Sequence, residues 1–388
     1  MIVFLRKWIL LIAYAFVYPL PVQRRIVFAS GHATRLTGNL EALHNEVARH
    51  APEARMVVLV RSSAAARGSK LDTLLFALRA EYYLATSQVF IVDDYFFPLY
   101  VIRLKPQVTV IQTWHASGAF KKIGYSVVDK TFGASPSLIR QVRIHSNYTY
   151  CLIASQNAVP AYAEAFGQPA ERFFSLGIPR TDVFFDPAFA KRARKVRKKY
   201  YIPAKKKTIL YAPTFRGTSK QSAVFHEGLD LHELQRVCGD EYVLLLRLHP
   251  FVAAEVALDE ELAGFVIDVS RHADINELML VSDVLVTDYS SAIYEYSLLG
   301  RPMAFFAPDF EEYQAERGFY FDYETGVPGP VFTTTSELAK YLSAGRFDLA
   351  RVAEFRDRSF DLADGHASQR VVDQLVLPAL ERPGSKRP

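Results

Sequence analysis

Short apolar runs recur along the chain, each closed by a polar turn and followed by a stretch long enough for a helix. In the first half they are Ile26–Ala29, Met56–Val60, Val89–Val92, Val108–Gln112 and Tyr150–Ala154. The pattern restarts with Thr208–Tyr211, Tyr242–Leu248, Phe265–Ile267, Val284–Thr287 and Met303–Phe306. Continuous apolar runs, rather than alternating ones, belong to strands covered on both faces. They predict parallel, doubly wound sheets with helices on each side, an α/β fold. Two such domains are expected, over residues 23–199 and 200–376. The division falls beside Lys191, Arg192, Arg194, Lys195, Arg197, Lys198, Lys199 and the later Lys205–Lys207. Leu338–Val376 reads as helices, the last packing back on the first domain, and residues 377–388 form a polar, frayed tail.

Residues 1–22 are apolar, interrupted by Arg6 and Lys7 and ended by Pro19 and Pro21. The unbroken run Trp8–Leu20 is well short of the roughly 20 residues that span a bilayer. Ala13-Tyr14-Ala15 has the form of a signal cleavage site, but an apolar stretch precedes the charges and a strand starts at Ile26. The expectation is an apolar membrane-associating segment at the interface, with Trp8, Tyr14 and Tyr18 in the headgroup zone, or a helix packed on the domain. The basic run after Lys191 is a solvated helix face or a second contact with anionic headgroups.

A chain of 388 residues is long enough for two full cores, and its 50% hydrophobic content excludes a disordered protein. Cys151 and Cys238 lie in or beside apolar runs, so buried free thiols are expected, without a disulfide framework or zinc spacing. A net charge of +5 and a pI near 9.0 suit an anionic partner, whether a membrane or a phosphorylated substrate. Nucleic acid is not expected, because no RNP, helix-turn-helix or zinc-finger pattern is present.

The most informative stretch is Asp274–Glu324. Asp274 and Glu277 have capping-box spacing, a strand follows, and Asp288-Tyr289-Ser290-Ser291 turns into a helix that Gly300-Arg301-Pro302 stops. A strand, a tight polar turn and a helix start present free N–H groups to an anion, and Ser290 and Ser291 add hydroxyl donors. An ordinary serine N-cap accounts for the same residues. A second stretch places His115 at a strand end, before a small-residue turn and Lys121 and Lys122. It reads as a base beside phosphate ligands or as a structural histidine with exposed lysines. Ser30 and Gly31 line a cleft at the end of the first strand or form a plain turn. Arg216 and His249 follow strands on the rim that carries Ser290 and Ser291.

The run SDVLVTDYSSAIYEYSLLGRPMAFFAPDFEEYQAERGFYFDYE resembles the signature of the CDP-glycerol glycerophosphotransferase family, which builds the polyol-phosphate chains of wall teichoic acid. YAPTFRG, RLHP, LGIPRTD and the Trp-His turn followed by Lys121-Lys122 are similar to further family motifs. The resemblance covers Ser30 to Tyr323 and is densest after Thr208. It implies the GT-B architecture, two Rossmann-like domains facing across a cleft. It also implies attack of an acceptor hydroxyl on the β-phosphate of CDP-glycerol, releasing CMP. His115 would be the general base and His249 a second catalytic group beside the pyrophosphate. Arg216, Ser290 and Ser291 would hold the donor, with Asp288 fixing their turn. Lys121 and Lys122, with Ser30 and Gly31, would serve the acceptor. No obligatory metal or cofactor is implied, magnesium at most accompanying the nucleotide.

Polymerising members read Trp-His-Gly-Thr-Pro where this chain has Trp114-His115-Ala116-Ser117-Gly118. That departure, with the chain's shortness, leads us to expect a primase. Such an enzyme adds one glycerol phosphate to the terminal N-acetylmannosamine of an undecaprenyl-diphosphate-linked disaccharide at the cytoplasmic face of the membrane, as a peripheral protein. The competing readings are a glycerol- or ribitol-phosphate polymerase, a GT-B nucleotide-sugar glycosyltransferase and a non-catalytic membrane recognition module.

Overall fold

The apolar runs form two six-stranded sheets, all of whose strand pairs are parallel. This computed structural model describes residues 2–63, 68–128, 130, 133–214, 216, 228–248, 259–272 and 274–381. The first sheet holds β1 (Gln23–Ala29), β2 (Arg55–Leu59), β3 (Ser87–Val92), β4 (Thr109–Gln112), β5 (Tyr150–Ile153) and β6 (Phe173–Ser175), in the order β2-β1-β3-β4-β5-β6. Ile26 lies opposite Met56 on one side and Val89 on the other, and Ile111 opposite Tyr150. Ile26, Phe28, Val89, Ile91 and Ile111 bury against Leu40, Leu43 and Val47 of the helix Gly38–His50. Each such side chain contributes roughly 1.5–3 kcal/mol relative to exposure.

The second sheet holds β7 (Lys207–Tyr211), β8 (Tyr242–Leu246), β9 (Val266–Asp268), β10 (Val284–Thr287), β11 (Met303–Phe306) and β12 (Val331–Phe332), in the order β12-β11-β10-β7-β8-β9. Leu210, Leu285 and Met303 stand side by side in register. Both orders reverse direction once, at β1/β3 in the first sheet and at β7/β10 in the second. Ligands of open α/β sheets collect outside the carboxyl ends of strands at such switch points.

The chain divides into a unit of residues 1–182 with 360–388, and a unit of residues 183–359. This moves the expected boundary at 199/200. The basic helix Pro187–Lys199 packs on the helix Ile275–Val281, so it belongs to the second unit. The segment after Ser359 returns to the first, where Val371, Val372, Leu375, Val376, Ala379 and Leu380 join the core around β1. Asp361 fastens that return by accepting hydrogen bonds from Ser155 Oγ (2.7 Å), Gln156 N (2.8 Å) and Ser175 Oγ (2.6 Å). Asp182 accepts from the N–H groups of Ala367 (2.8 Å) and Ser368 (2.7 Å).

Residues Ile2–Val17 are one helix, packed on the helix Lys70–Thr86 and burying Leu10 and Tyr14. The two cations that interrupt its sequence turn to the protein. Lys7 Nζ donates to the Gln141 carbonyl at 2.6 Å, and the Arg6 guanidinium lies 4.3 Å from the Phe97 ring centre. Phe4, Leu5, Trp8, Ile12 and Phe16 stay exposed. No helix among the described residues is long and apolar enough to cross a membrane. Both cysteines are buried and free, as their apolar setting predicts.

Candidate functional site

At the carboxyl ends of β1, β3 and β4 the first unit gathers ionisable side chains. The turn after β4 is strained: Trp114 has φ of 53°, a left-handed backbone unusual for a bulky residue. Its N–H donates to Gln112 Oε1 (2.8 Å), and its carbonyl accepts from Asn39 Nδ2 (2.8 Å). The indole packs edge-on against Tyr95, His145 and Phe166. His145 is fully buried beneath it, and burial pushes its pKa down to about 3, so it is a neutral packing element. This bracing leaves His115 half exposed on the rim, its Nδ1 3.6 Å from Asp94 Oδ1.

Crowding by protein lowers the proton affinity of His115, Asp94 opposes that fall, and Arg180 and His32 add to it. A lowered pKa favours the neutral imidazole, the form that accepts a proton. Asn39 also accepts from the Arg180 N–H at 2.9 Å, which ties the Leu176–Asp182 turn to the same rim. Ser30 is buried: its Oγ accepts from Ala33 N at 3.4 Å and bonds to Asp93, so it supports the turn from below. Gly31 is needed for a close approach, since a Cβ there would lie 3.1 Å from the Tyr95 carbonyl oxygen. Lys121 is half-buried and Lys122 exposed, a few residues along the chain from His115.

At the β7/β10 switch point of the second unit, Asp288 is almost fully buried and its oxygens are occupied. Oδ1 accepts from Thr214 N (2.8 Å), Thr214 Oγ1 (2.8 Å) and Tyr289 N (2.6 Å), and Oδ2 from Arg216 Nη1 (2.9 Å). Arg216 closes the knot with Asp309 through Nε (2.5 Å) and Nη2 (2.9 Å), and donates to the Thr214 carbonyl at 2.6 Å. Burial acts to lower the Arg216 pKa, but the two carboxylates outweigh it and keep the guanidinium charged. The guanidinium lies 5.0 Å and 5.1 Å from the ring centres of Tyr289 and Tyr313, which stack on each other, and the Tyr323 hydroxyl donates to the Asp288 carbonyl. Arg216 and Asp288 therefore act as one tie that shapes the turn.

Beyond that tie, Ser290 and Ser291 are half-buried at the start of the helix Ala292–Ser297. Ser290 Oγ accepts from Ala292 N at 3.3 Å, whereas Ser291 makes no side-chain capping bond. His249 lies outside the described residues. Among the described residues, the group with metal-ligand spacing is the exposed trio His232, Asp259 and Glu261, outside both switch points.

The sequence reading passed over Asp94, His32 and Asn39 and gave Arg180 no role. The acidic pair Asp93-Asp94 at a strand end was the visible signal. Asn39 carried none, because its value lies in carbonyls more than seventy positions away along the chain.

Residues 12–377 match the family described as CDP-glycerol:poly(glycerophosphate) glycerophosphotransferase. The chain is 38% identical over 358 residues to the teichoic acid ribitol-phosphate primase of Bacillus spizizenii, covering 91% of each chain. To the teichoic acid poly(ribitol-phosphate) polymerase of the same organism it is 38% identical over 369 residues, which is 94% of this chain and 58% of that one. The teichoic acid glycerol-phosphate primase of Bacillus subtilis is 30% identical over 298 residues, 76% of this chain and 75% of that one. Among solved structures, a variant of the wall teichoic acid polymerase TagF soaked with CDPG superposes with a TM-score of 0.76 at 29% identity. That match covers 93% of this chain and 90% of the other.

Proposed function

The chain belongs to the CDP-glycerol:poly(glycerophosphate) glycerophosphotransferase family, and we propose that it is a primase that transfers one polyol phosphate from a CDP-polyol to a lipid-linked acceptor. Family membership makes it a transferase. The single observation behind the mechanistic reading is the braced Trp114-His115 turn, which presents the His115 imidazole at the rim of the first unit. His115 takes the proton of the acceptor hydroxyl, at about 3 Å directly or through one water. The hydroxyl oxygen bonds to the β-phosphorus of CDP-glycerol, the bond to the bridging oxygen breaks, and CMP leaves with that electron pair. Such transfer depends on positioning and charge neutralisation. The N–H groups and hydroxyls of the Ser290-Ser291 turn serve the donor phosphates, with Arg216 and Asp288 holding the turn in shape.

The primase assignment, with an undecaprenyl-diphosphate-linked disaccharide as acceptor, is supported by Ala116-Ser117-Gly118 after His115 and by relatives that include primases. Glycerol phosphate is the unit in the family's own description. Ribitol phosphate is the second reading, favoured by 38% identity to a ribitol-phosphate primase against 30% to a glycerol-phosphate primase. Incubation with each CDP-polyol and a lipid-linked disaccharide analogue, followed by mass spectrometry, tests both. A single added unit is expected; a ladder of products under excess donor contradicts the primase reading.

The N-terminal helix is, in this reading, the contact with the cytoplasmic face of the membrane, which holds the lipid acceptor. Its exposed Phe4, Leu5, Trp8, Ile12 and Phe16 support that role, and the basic helix Pro187–Lys199 supplies cations for anionic headgroups.

A further inference from the structure

The carboxylate beside His115 is shared. Asp94 Oδ1 lies 3.6 Å from His115 Nδ1, and Asp94 Oδ2 lies 3.3 Å from His32 Nδ1. The two imidazoles come from different strand ends, β4 and β1, on either side of β3, which carries Asp94. Three features hold this arrangement. The Tyr95 N–H donates to Asp94 Oδ1 at 2.6 Å. Gln112 spans the turns, its Nε2 donating to the Asp94 carbonyl (3.2 Å) while its Oε1 accepts from Trp114 N (2.8 Å). Gly31 lets the His32 turn settle against the Tyr95 carbonyl. The cluster stands at the β1/β3 switch point.

We propose that Asp94 is a positioning residue for His115, and that His32 competes for the same carboxylate and so sets the acidic limit of the transfer reaction. This rests on the reading of His115 as the general base. An anionic Asp94, 3.6 Å from Nδ1, favours the charged form of the ring and the tautomer that keeps its proton on that side, the logic by which a carboxylate orients a histidine base. When His32 is protonated, its cation takes the Oδ2 side and neutralises part of the field that His115 feels. The charged groups that face His115 are Asp94, which raises its proton affinity, and Arg180 and His32, which lower it; the Asp93 carbonyl accepts from the ring. Asp93 itself is buried with Oδ1 unpartnered, and burial lifts its carboxyl to about 6 against the pull of His32 and Ser30. It thus adds a negative charge beside His32 above about that pH.

The two variants push His115 in opposite directions, which a merely structural role does not do. In the full chain, with histidine ring carbons labelled for NMR titration, Asp94→Asn is expected to lower the His115 pKa by on the order of one unit, and His32→Gln to raise it. The acid limb of turnover against pH follows, moving down in Asp94→Asn and up in His32→Gln. Asp94→Asn also lowers kcat by about tenfold or more while the KM for donor stays put. His32 is exposed, so His32→Gln tests the idea even if Asp94→Asn fails to fold. A His115 pKa unmoved by His32→Gln, or moved the same way by both variants, overturns the proposal. If instead His115→Ala turns over normally while these shifts occur, the coupling stands and the assignment of His115 as base is what fails.

Discussion

A carboxyl group buried without a partner stays neutral, and Glu81 on the helix Lys70–Thr86 is such a group. It is fully buried, neither oxygen is hydrogen-bonded, and burial pushes its pKa up to about 9. Unfolded, the same group ionises near about 4.3. The unfolded chain therefore sheds this proton first. The stability that Glu81 contributes is fully present below about 4.3 and is lost progressively as pH rises toward 9. Glu81→Gln is expected to flatten that loss in denaturant unfolding compared at about pH 5 and about pH 8.5. Equal slopes for the two proteins would show that Glu81 is not neutral when folded. Arg216 and Asp288 show the opposite solution, charges kept charged because each partners the other. Removing either partner alone leaves the other buried and uncompensated.

At the scale of elements, the ten apolar runs were legible because strands covered on both faces, as most of these are, are written as unbroken hydrophobic residues. The short edge strands β6 and β12 were not read from the sequence. The capping role of Asp274 was legible, and it accepts from Asn276 N at 2.9 Å, but Glu277 turns to His272 Nε2 (3.0 Å) instead of closing the box. The motif turns were legible as strand-end turns. What the sequence does not show is how hydrogen bonds are shared: Arg216 reads as a phosphate ligand, and its ties to Asp288 and Asp309 appear only in the structure. The N-terminal helix was legible as apolar, while its packing on Lys70–Thr86 was one of two open options. Deleting residues 1–22 is expected to weaken binding to anionic vesicles, as does added salt, because exposed charges are screened. Nucleotide binding should survive the deletion. Vesicle binding that is insensitive to both treatments would remove the helix and its basic companion from the membrane account.

For the whole molecule, each unit builds its candidate site at a switch point from a carboxylate just past the end of a strand, β3 in the first and β10 in the second. Asp94 orders the His115 turn in the first unit and Asp288 orders the Ser290-Ser291 turn in the second. The division of the chain itself was partly legible: the return of the last helix to the first core was expected, but not where the units divide, near residues 182 and 360, where Asp182 and Asp361 make the fastening hydrogen bonds. The proposed chemistry assigns the base to one unit and the donor to the other. Its most direct test is the nucleotide released per acceptor consumed, followed by chromatography with the wild-type protein and His115→Ala in parallel. One CMP per acceptor is expected from the wild type. The variant should turn over more slowly by a factor on the order of 10²–10⁴, with donor affinity retained. Release of a nucleoside diphosphate in place of CMP, or near-normal turnover by His115→Ala, would contradict the account.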